Sequence, residues 1–514
     1  MTDLGRVLIA AAERNPRALA VVDGERRFDY AAWLDAASRL SAGLGGLGLG
    51  RGDRLAVIMQ NRWQMAALHW ACQLAGIVVV PLNWRSAAEE LDYFLEDSGA
   101  AALAFDESAA AAVAGSACAA RLDRVGVGDA PGGTVVFDDL LAAPAEATPR
   151  AGEDDLSLML YTSGTTGRGK GVPRTHRAER AAALAHIAQN CYRAGERTLG
   201  VMPLYHTMGV RSLLAMAHVN GAFVCQHRFD AAGALRLIEA ERLTALYLVP
   251  TLYYDLLESP GFGGADVSSV RKLGFAGAPM AEGLLRRVES AFQPELFVNH
   301  YGSSEIYTFT IEQNAAAKPG SAGKAGINQR IRVVEIGADD PERSVAAGVE
   351  GEVIASLESE EAFAGYWQRP DADARALKRG WYFTGDVGYC DDDGDLFVTG
   401  RVDDMVITGG ENVLPAEIES VLSVHPAVAE AAVAGLEDER WGQKVAAFVV
   451  RSGPLDAETL DAHCRASVLA DFKRPRAYVF VRAIPKSPVG KVLRRKLIAG
   501  EYETDEDCGG RRSA

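Results

Sequence analysis

The chain reads as an α/β protein, with a large N-terminal domain of layered α/β subdomains over residues 1–402 and a small α+β domain over residues 403–514. Three observations carry this reading. Apolar runs alternate with amphipathic stretches near residue 55, the same rhythm returns near residue 235, and the pattern changes after Gly380. In the first region a strand-like "RLAVIMQN" precedes a helical "RWQMAALHWACQLAG". A short apolar "IVVVPLN", a helical "SAAEELDYFLEDSG" and the run "AALAFD" follow. Buried apolar runs separated by helices of this length predict parallel strands with right-handed crossovers. In the second region "FDAAGALRLIEAERLTALYLVPTLYYDLLES" predicts a helix capped near Asp230, a strand around Ala245 to Val249 and another helix.

Beyond Gly380, "WYFTGDVGYCDDDGDLFVTGR" reads as two strands joined at Asp393-Gly394, a favoured hairpin pair. Its acidic cluster misses the spacing of an EF-hand loop and is expected to be a solvated turn rather than a calcium site. After Asp403 the pattern predicts a helix with Ile418, Val421 and Leu422 on one face and strands near Val428 to Ala434 and Val445 to Val450. A helix near Glu458 to Leu469 and a strand at Tyr478 to Val481 follow, and the polar tail "EYETDEDCGGRRSA" is expected to be disordered. No internal repeat is found.

Composition narrows the function. With 514 residues and 48% hydrophobic content the chain can bury more than one core. A formal net charge of -16 repels phosphate backbones at long range, which argues against a nucleic-acid partner and requires any anionic ligand to be gripped locally. Seven cysteines lack both C-x-x-C and Cys/His ligand spacing, so neither a zinc site nor a disulfide framework is expected. The N-terminal "MTDLGRVLIAAAERNP" lacks a signal-peptide core, and no apolar run is long enough to span a bilayer. A soluble, cytoplasmic protein without a membrane partner is the expectation.

The run "YTSGTTGRGKG", Tyr161 to Gly171, is the densest chemical signal. Gly164, Gly169 and Lys170 fit the start of a Walker A loop, but Gly171 stands where that motif needs Ser or Thr for magnesium, which disfavours a P-loop NTPase. Four further segments follow in order: "YGSSE" (Tyr301 to Glu305), "YFTGD" (Tyr382 to Asp386), "GRVDDMVITGGEN" (Gly400 to Asn412) and "PKSPVGKVLRR" (Pro485 to Arg495).

Together these five segments, over nearly the whole chain, resemble the adenylate-forming superfamily of acyl-CoA synthetases, peptide-synthetase adenylation domains and luciferases. "DERWGQKV", "LADFKRPR" and "GKVLRRKL" bring the chain nearest to 4-halobenzoate-CoA ligase and related aryl-CoA ligases. The resemblance implies an ATP-dependent acid-CoA ligase for an aromatic or heteroaromatic acid, using ATP, CoA and Mg2+. A medium-chain fatty acid ligase is the runner-up. A peptide-synthetase module would need an acidic residue for the amino group and usually a downstream carrier domain. Oligomeric state is left open, a homodimer included.

The resemblance also implies roles. Thr162, Ser163, Gly164, Thr165, Thr166, Gly167 and Lys170 would cradle the β- and γ-phosphates, because a glycine- and hydroxyl-rich loop presents donors without steric cost. Glu305 would ligate magnesium with support from the Ser304 hydroxyl, Gly302 belongs to the same cofactor-binding segment, and Lys491 would bridge the acid carboxylate and the α-phosphate. Gly277, Ala278, Pro279 and Tyr301 match the adenine site, and Asp386 with Arg401 the ribose site. Asp403 is the expected hinge about which a mobile C-terminal domain rotates between the two half-reactions. Gly409 and Gly410 would then face the thiol tunnel, Trp441, Phe472 and Arg474 the CoA nucleotide, and Arg85 a CoA phosphate. His206 would gate an acid pocket lined by Tyr247, Ala278, His300 and Tyr307. His300 stands where the halobenzoate ligases carry an apolar residue, which favours an oxygen-bearing ring. Two departures from the family pattern are Gly169 in place of a proline, implying a looser loop, and Ser304 in place of a threonine.

Overall fold

Apolar β-branched runs that are buried on both faces need neighbours on both sides, and the chain meets this need with parallel pairing. In the computed structural model, which describes residues 3–145, 147–162, 169–467, 469–486 and 492–505, strand Arg54–Ile58 lies parallel to Val78–Leu82 and to Ala102–Phe105. Helices Trp63–Ala75 and Ala88–Ser98 fill the connections, each ended by a left-handed glycine, Gly76 and Gly99. These strands form the middle of a seven-stranded sheet in which only the last pair, Leu156–Thr162 with Lys170–Thr175, is antiparallel.

The second rhythm builds a nine-stranded sheet. Its parallel centre runs through Leu296–Tyr301, Lys272–Phe275, Ala245–Leu248, Arg197–Gly200, Ala222–Cys225 and Leu19–Asp23. Helix Ala231–Ala240 starts as expected at Asp230, whose side chain accepts from Gly233 N over 2.8 Å. Trp33, Trp70, Tyr253 and Phe223 are among the largest side chains below 2% exposure, and each stabilises its core by about 2–3 kcal/mol. No helix among the described residues is long and apolar enough to cross a membrane.

The chain divides into two compact units, Met1–Ile331 with Ala355–Tyr382, and Arg332–Ile354 with Phe383–Ala514. Both large sheets belong to the first. The second contains helix Pro415–Ser423, with Ile418 and Leu422 buried, against the antiparallel pair Val428–Asp438 and Gly442–Arg451, which run longer than the sequence pattern indicates. Helix Ala457–Arg465 ends before the expected Leu469, and Ala477–Phe480 completes the sheet.

Two expectations need correction. Strands Trp381–Cys390 and Leu396–Arg401 do pair, but the turn spans Asp391 to Asp395 rather than two residues, because Asp391 Oδ1 accepts from both Asp393 N and Asp395 N and closes a wider loop. The start of the polar tail is ordered: Thr504 bridges to Val481, Asp505 pairs with Arg451, and Tyr502 packs on Phe448 at 5.2 Å. Six cysteines are free among the described residues.

Candidate active site

The phosphate-loop segment closes a hairpin, with Thr162 opposite Lys170 in antiparallel register. Ser163, Gly164, Thr165, Thr166 and Gly167 lie outside the described residues, as does Lys491. Gly169 is held from both sides: Tyr93 Oη donates to its carbonyl over 2.7 Å, and a Cβ there would stand 3.0 Å from Thr162 O. Lys170 places Nζ over the Tyr366 ring at 4.1 Å from the centroid, a cation–π contact. Tyr366 Oη donates to Glu305 Oε1 over 2.7 Å and lies 3.4 Å from Tyr382 Oη. The phosphate-loop lysine and the metal-candidate glutamate are thus joined through one tyrosine that sequence reasoning did not single out.

Glu305 is 6% exposed. It sits in a tight turn where Ser303 N donates to Ile306 O over 2.9 Å and Ser303 Oγ accepts from Glu305 N over 3.2 Å. Ser303 therefore shapes the turn, while Ser304 contributes its carbonyl to Arg174 at 3.5 Å. Gly302 is required at the turn's entrance, since a Cβ would lie 2.1 Å from Tyr307 O. A carboxylate at this depth offers hard oxygen to Mg2+, and its second oxygen is not spent on Tyr366; the residue fits a divalent-ion ligand.

Tyr301 ends strand Leu296–Tyr301, its ring 5.1 Å from Phe309. Gly277, Ala278 and Pro279 form a bend just past strand Lys272–Phe275, with Gly277 at φ 84°. This bend lies at the carboxyl end of parallel strands, where open α/β sheets bind ligands.

The expected acid-pocket residues Tyr247, His300 and Tyr307 stand together. Tyr247 and His300 rings are 5.1 Å apart, and both face His186, at 4.8 and 5.2 Å. Arg211 Nη1, which can only donate, lies 3.4 Å from His300 Nδ1, so Nδ1 accepts and the ring proton sits on Nε2, which faces the Asn190 amide with Oδ1 at 3.3 Å and Nδ2 at 3.1 Å. Burial, and then the Arg211 charge, holds His300 well below its ordinary range, so the imidazole is neutral. Tyr307 Oη donates to Glu179 Oε2 over 3.2 Å, and its ring is flanked by Arg174 at 4.0 Å and Arg211 at 5.2 Å. His206 begins helix Thr207–His218 with its ring 4.7 Å from Tyr205. Burial lowers its pKa to about 4, and its Nε2 has no hydrogen-bond partner.

Under this group lie charges the sequence did not announce. Arg174, fully buried, gives Nε to Glu179 over 2.7 Å and Nη1 to the carbonyls of Glu305 and Glu361 over 3.0 and 2.6 Å. Arg174 ties the Glu305 turn to the sheet. Arg85 lies over the Trp84 ring at 3.9 Å.

In the second unit Asp386 and Arg401 face each other across the hairpin and form an ion pair, with Asp386 N donating to Thr384 Oγ1 over 3.0 Å. Asp403 is exposed in the turn that follows. Gly409 and Gly410 make the left-handed turn between Val406–Thr408 and Glu411–Val413; a Cβ on Gly409 would meet Trp441 Cε3 at 2.8 Å. Trp441 and Phe472 are 40% and 39% exposed, unusual for large rings, with Arg440 and Lys473 over them at 4.8 and 5.9 Å from the ring centroids. Arg474 differs: its guanidinium is taken up by Asp461 at 2.8 Å and Asp471 at 3.1 Å. Asp391, Asp393 and Asp395 bring ligand atoms within 4.8 Å of one another.

Residues 8–367 match the family model described as AMP-binding enzyme, and residues 417–491 that of the AMP-binding enzyme C-terminal domain. The chain is 34% identical to a 4-chlorobenzoate–CoA ligase of Arthrobacter sp. over 497 residues, 95% of this chain and 93% of the relative. It is also 34% identical to a long-chain-fatty-acid–CoA ligase of Mycobacterium tuberculosis over 505 residues, 97% and 98% of the two chains. Among solved structures, an o-succinylbenzoate CoA synthetase of Bacillus subtilis in complex with its acyl-adenylate superposes with a TM-score of 0.85 at 28% identity, covering 97% of this chain and 98% of that one.

Proposed function

The chain belongs to the AMP-binding enzyme family and is an AMP-forming acid–thiol ligase, an ATP-dependent acyl-CoA ligase, for which we propose an aromatic or heteroaromatic carboxylate with an oxygen-bearing ring as substrate. The observation that carries the adenylation chemistry is the Lys170–Tyr366–Glu305 group, which sets a cation and a hard carboxylate beside the loop expected to hold the departing phosphates. In the first step a carboxylate oxygen attacks the α-phosphorus, the bond to pyrophosphate breaks, and acyl-AMP forms. In the second the CoA sulfur attacks the acyl carbon, AMP leaves with the bonding electron pair, and the thiol proton passes to solvent.

Each residue then has a task. Lys170 and the loop hold pyrophosphate oxygens; Lys491 bridges the carboxylate and the α-phosphate; Glu305 would hold Mg2+, which supplies charge neutralisation on the leaving group. Tyr301 and the bend at Gly277 to Pro279 receive adenine, and Asp386 with Arg401 the ribose. Rotation about Asp403 lets Gly409 and Gly410 admit the thiol, while Trp441 and Phe472 stack on the CoA nucleotide. A fatty-acyl relative at equal identity offers the second reading. It is disfavoured because the unpartnered Nε2 of His206, the expected gate, would receive no hydrogen bond from an alkyl chain.

The test is pyrophosphate release with and without CoA over benzoate, halobenzoates, hydroxybenzoates, 2-furoate and octanoate. An oxygen-bearing ring acid is expected to lead; preference for octanoate would overturn the aryl pocket. Lys491→Ala and Glu305→Gln are each expected to abolish CoA-dependent AMP formation, and wild-type turnover in either removes that residue's role.

A further inference from the structure

One buried cation in the proposed acid pocket has no task in adenylation. Arg211 lies in the middle of helix Thr207–His218, whose residues Met208 to Ala217 are all buried, and is itself 2% exposed. A helix so enclosed would accept leucine or methionine at this position without any desolvation cost. Arg174, by contrast, has its charge met by Glu179 and by backbone carbonyls. Arg211 reaches His300 Nδ1 at 3.4 Å, lies 5.2 Å from the Tyr307 ring centroid and faces the Tyr247 hydroxyl, while its Nε has no hydrogen-bond partner. The nearby carboxylate, Glu361, is 1% exposed and faces the hydroxyl and backbone N–H of Thr308. His186 Nε2, like Arg211 Nε, is buried and unpartnered.

Buried polar groups left without partners cost roughly 1–3 kcal/mol each, and more when charged. A cluster of them around the Tyr247, His300 and Tyr307 rings is expensive unless the occupant of the pocket completes it. What the cluster lacks is specific. A guanidinium offers donors only, and Nε of Arg211 is without a partner, so what Arg211 lacks is an acceptor oxygen. Burial also pushes the Glu361 carboxyl above its usual range, against the pull of Arg211 and Arg174, which leaves the guanidinium charge less fully offset.

We propose that Arg211 is the specificity-determining residue of the acid pocket, receiving an acceptor oxygen that the substrate acid carries away from its reacting carboxylate, either a second carboxylate or a neutral carbonyl. The assignment rests on the reading that Tyr247, His300 and Tyr307 line that pocket, and it narrows the substrate class from a ring acid to a ring acid with a second oxygen function.

The experiment measures kcat/KM for pyrophosphate release by the full chain with benzoate and 4-methylbenzoate, with 4-formylbenzoate as the neutral acceptor, and with terephthalate as the anionic one. The wild type is expected to favour one acceptor-bearing acid over both apolar acids by roughly ten- to a hundredfold, the range for hydrogen bonds to a charged group. Which of the two leads identifies the oxygen as anionic or neutral. In Arg211→Met the ratio is expected to collapse toward one, and Arg211→Lys, which keeps the charge but not the planar fork, to retain part of it. A wild type that prefers the apolar acids, or a preference that survives Arg211→Met, overturns the proposal. The wild-type comparison decides even if a variant does not fold. Pyrophosphate release without acceptor preference defeats only the Arg211 assignment; absence of pyrophosphate release with any acid defeats the ligase reading and this proposal with it.

Discussion

Tyr366 joins the two groups we assign to the departing phosphates, with its hydroxyl on Glu305 Oε1 and its ring under Lys170 Nζ. Tyr366→Phe keeps the ring and removes the hydroxyl, so the carboxylate loses a hydrogen bond that is worth about 1.5–3 kcal/mol when one partner is charged. We predict that this variant needs more Mg2+ for half-maximal pyrophosphate release and loses roughly ten- to a hundredfold in kcat/KM for ATP. Tyr366→Leu, which also removes the face offered to Lys170, is expected to lose more. An unchanged magnesium dependence in Tyr366→Phe would mean that the hydroxyl does not position Glu305.

Turns decide the next scale. A methyl group at Gly302 would stand 2.1 Å from Tyr307 O, backbone that cannot step aside, so Gly302→Ala displaces the turn carrying Glu305. It is predicted to abolish pyrophosphate release and lower the thermal midpoint; retention of either property would contradict the tight approach. Gly409→Ala meets Trp441 Cε3 at 2.8 Å from a left-handed backbone, where alanine costs about 1–2 kcal/mol. It is predicted to slow acyl transfer to CoA more than pyrophosphate release without CoA, as rapid-quench measurement of the two half-reactions would report.

Elements of this kind differ in how legible they are in the chain. Strands Arg54–Ile58, Val78–Leu82 and Ala102–Phe105 and their helices follow from period alone, because burial on both faces leaves continuous apolar runs. The five motif segments located Glu305, Lys170, Asp386 and the Gly409 turn. The charged layer beneath was not legible. In "HRAERAAA", Arg177 is half-exposed and paired with Glu153 and Asp154, whereas Glu179, two residues on, is buried against Arg174. Local pattern treats both as a solvated helix face, and only long-range packing separates them. Arg211 gave a fainter signal, a lone cation in "GVRSLLAMA", which a buried-polar argument could have flagged. The wide Asp391 to Asp395 turn was missed because side-chain acceptance by Asp391 outcompeted the two-residue hairpin that Asp393-Gly394 favours.

At the scale of the whole molecule the first unit carries an acid sensitivity. Burial lowers His69 to about 3 and His176, His206 and His218 to about 4, all from an ordinary 6.5. Between pH 6.5 and about 4 the unfolded chain binds protons on these imidazoles while the folded chain does not, so this contribution to stability is complete above pH 6.5 and is lost as pH falls toward 4. Each histidine contributes at most about 1.4 kcal/mol per pH unit in that window. Urea titrations are expected to show the first unit's midpoint falling steeply on acidification, whereas a flat midpoint would place these rings in water. The chemistry on which the account turns is attack of a carboxylate on the α-phosphorus of ATP. The most direct measurement incubates the full chain with ATP labelled at the α-phosphate, Mg2+ and the acid panel without CoA, then separates the nucleotides. The account predicts an acid-dependent acyl-AMP with pyrophosphate, converted to AMP and acyl-CoA when CoA is added; labelled ADP, with no mixed anhydride for any acid, would contradict it.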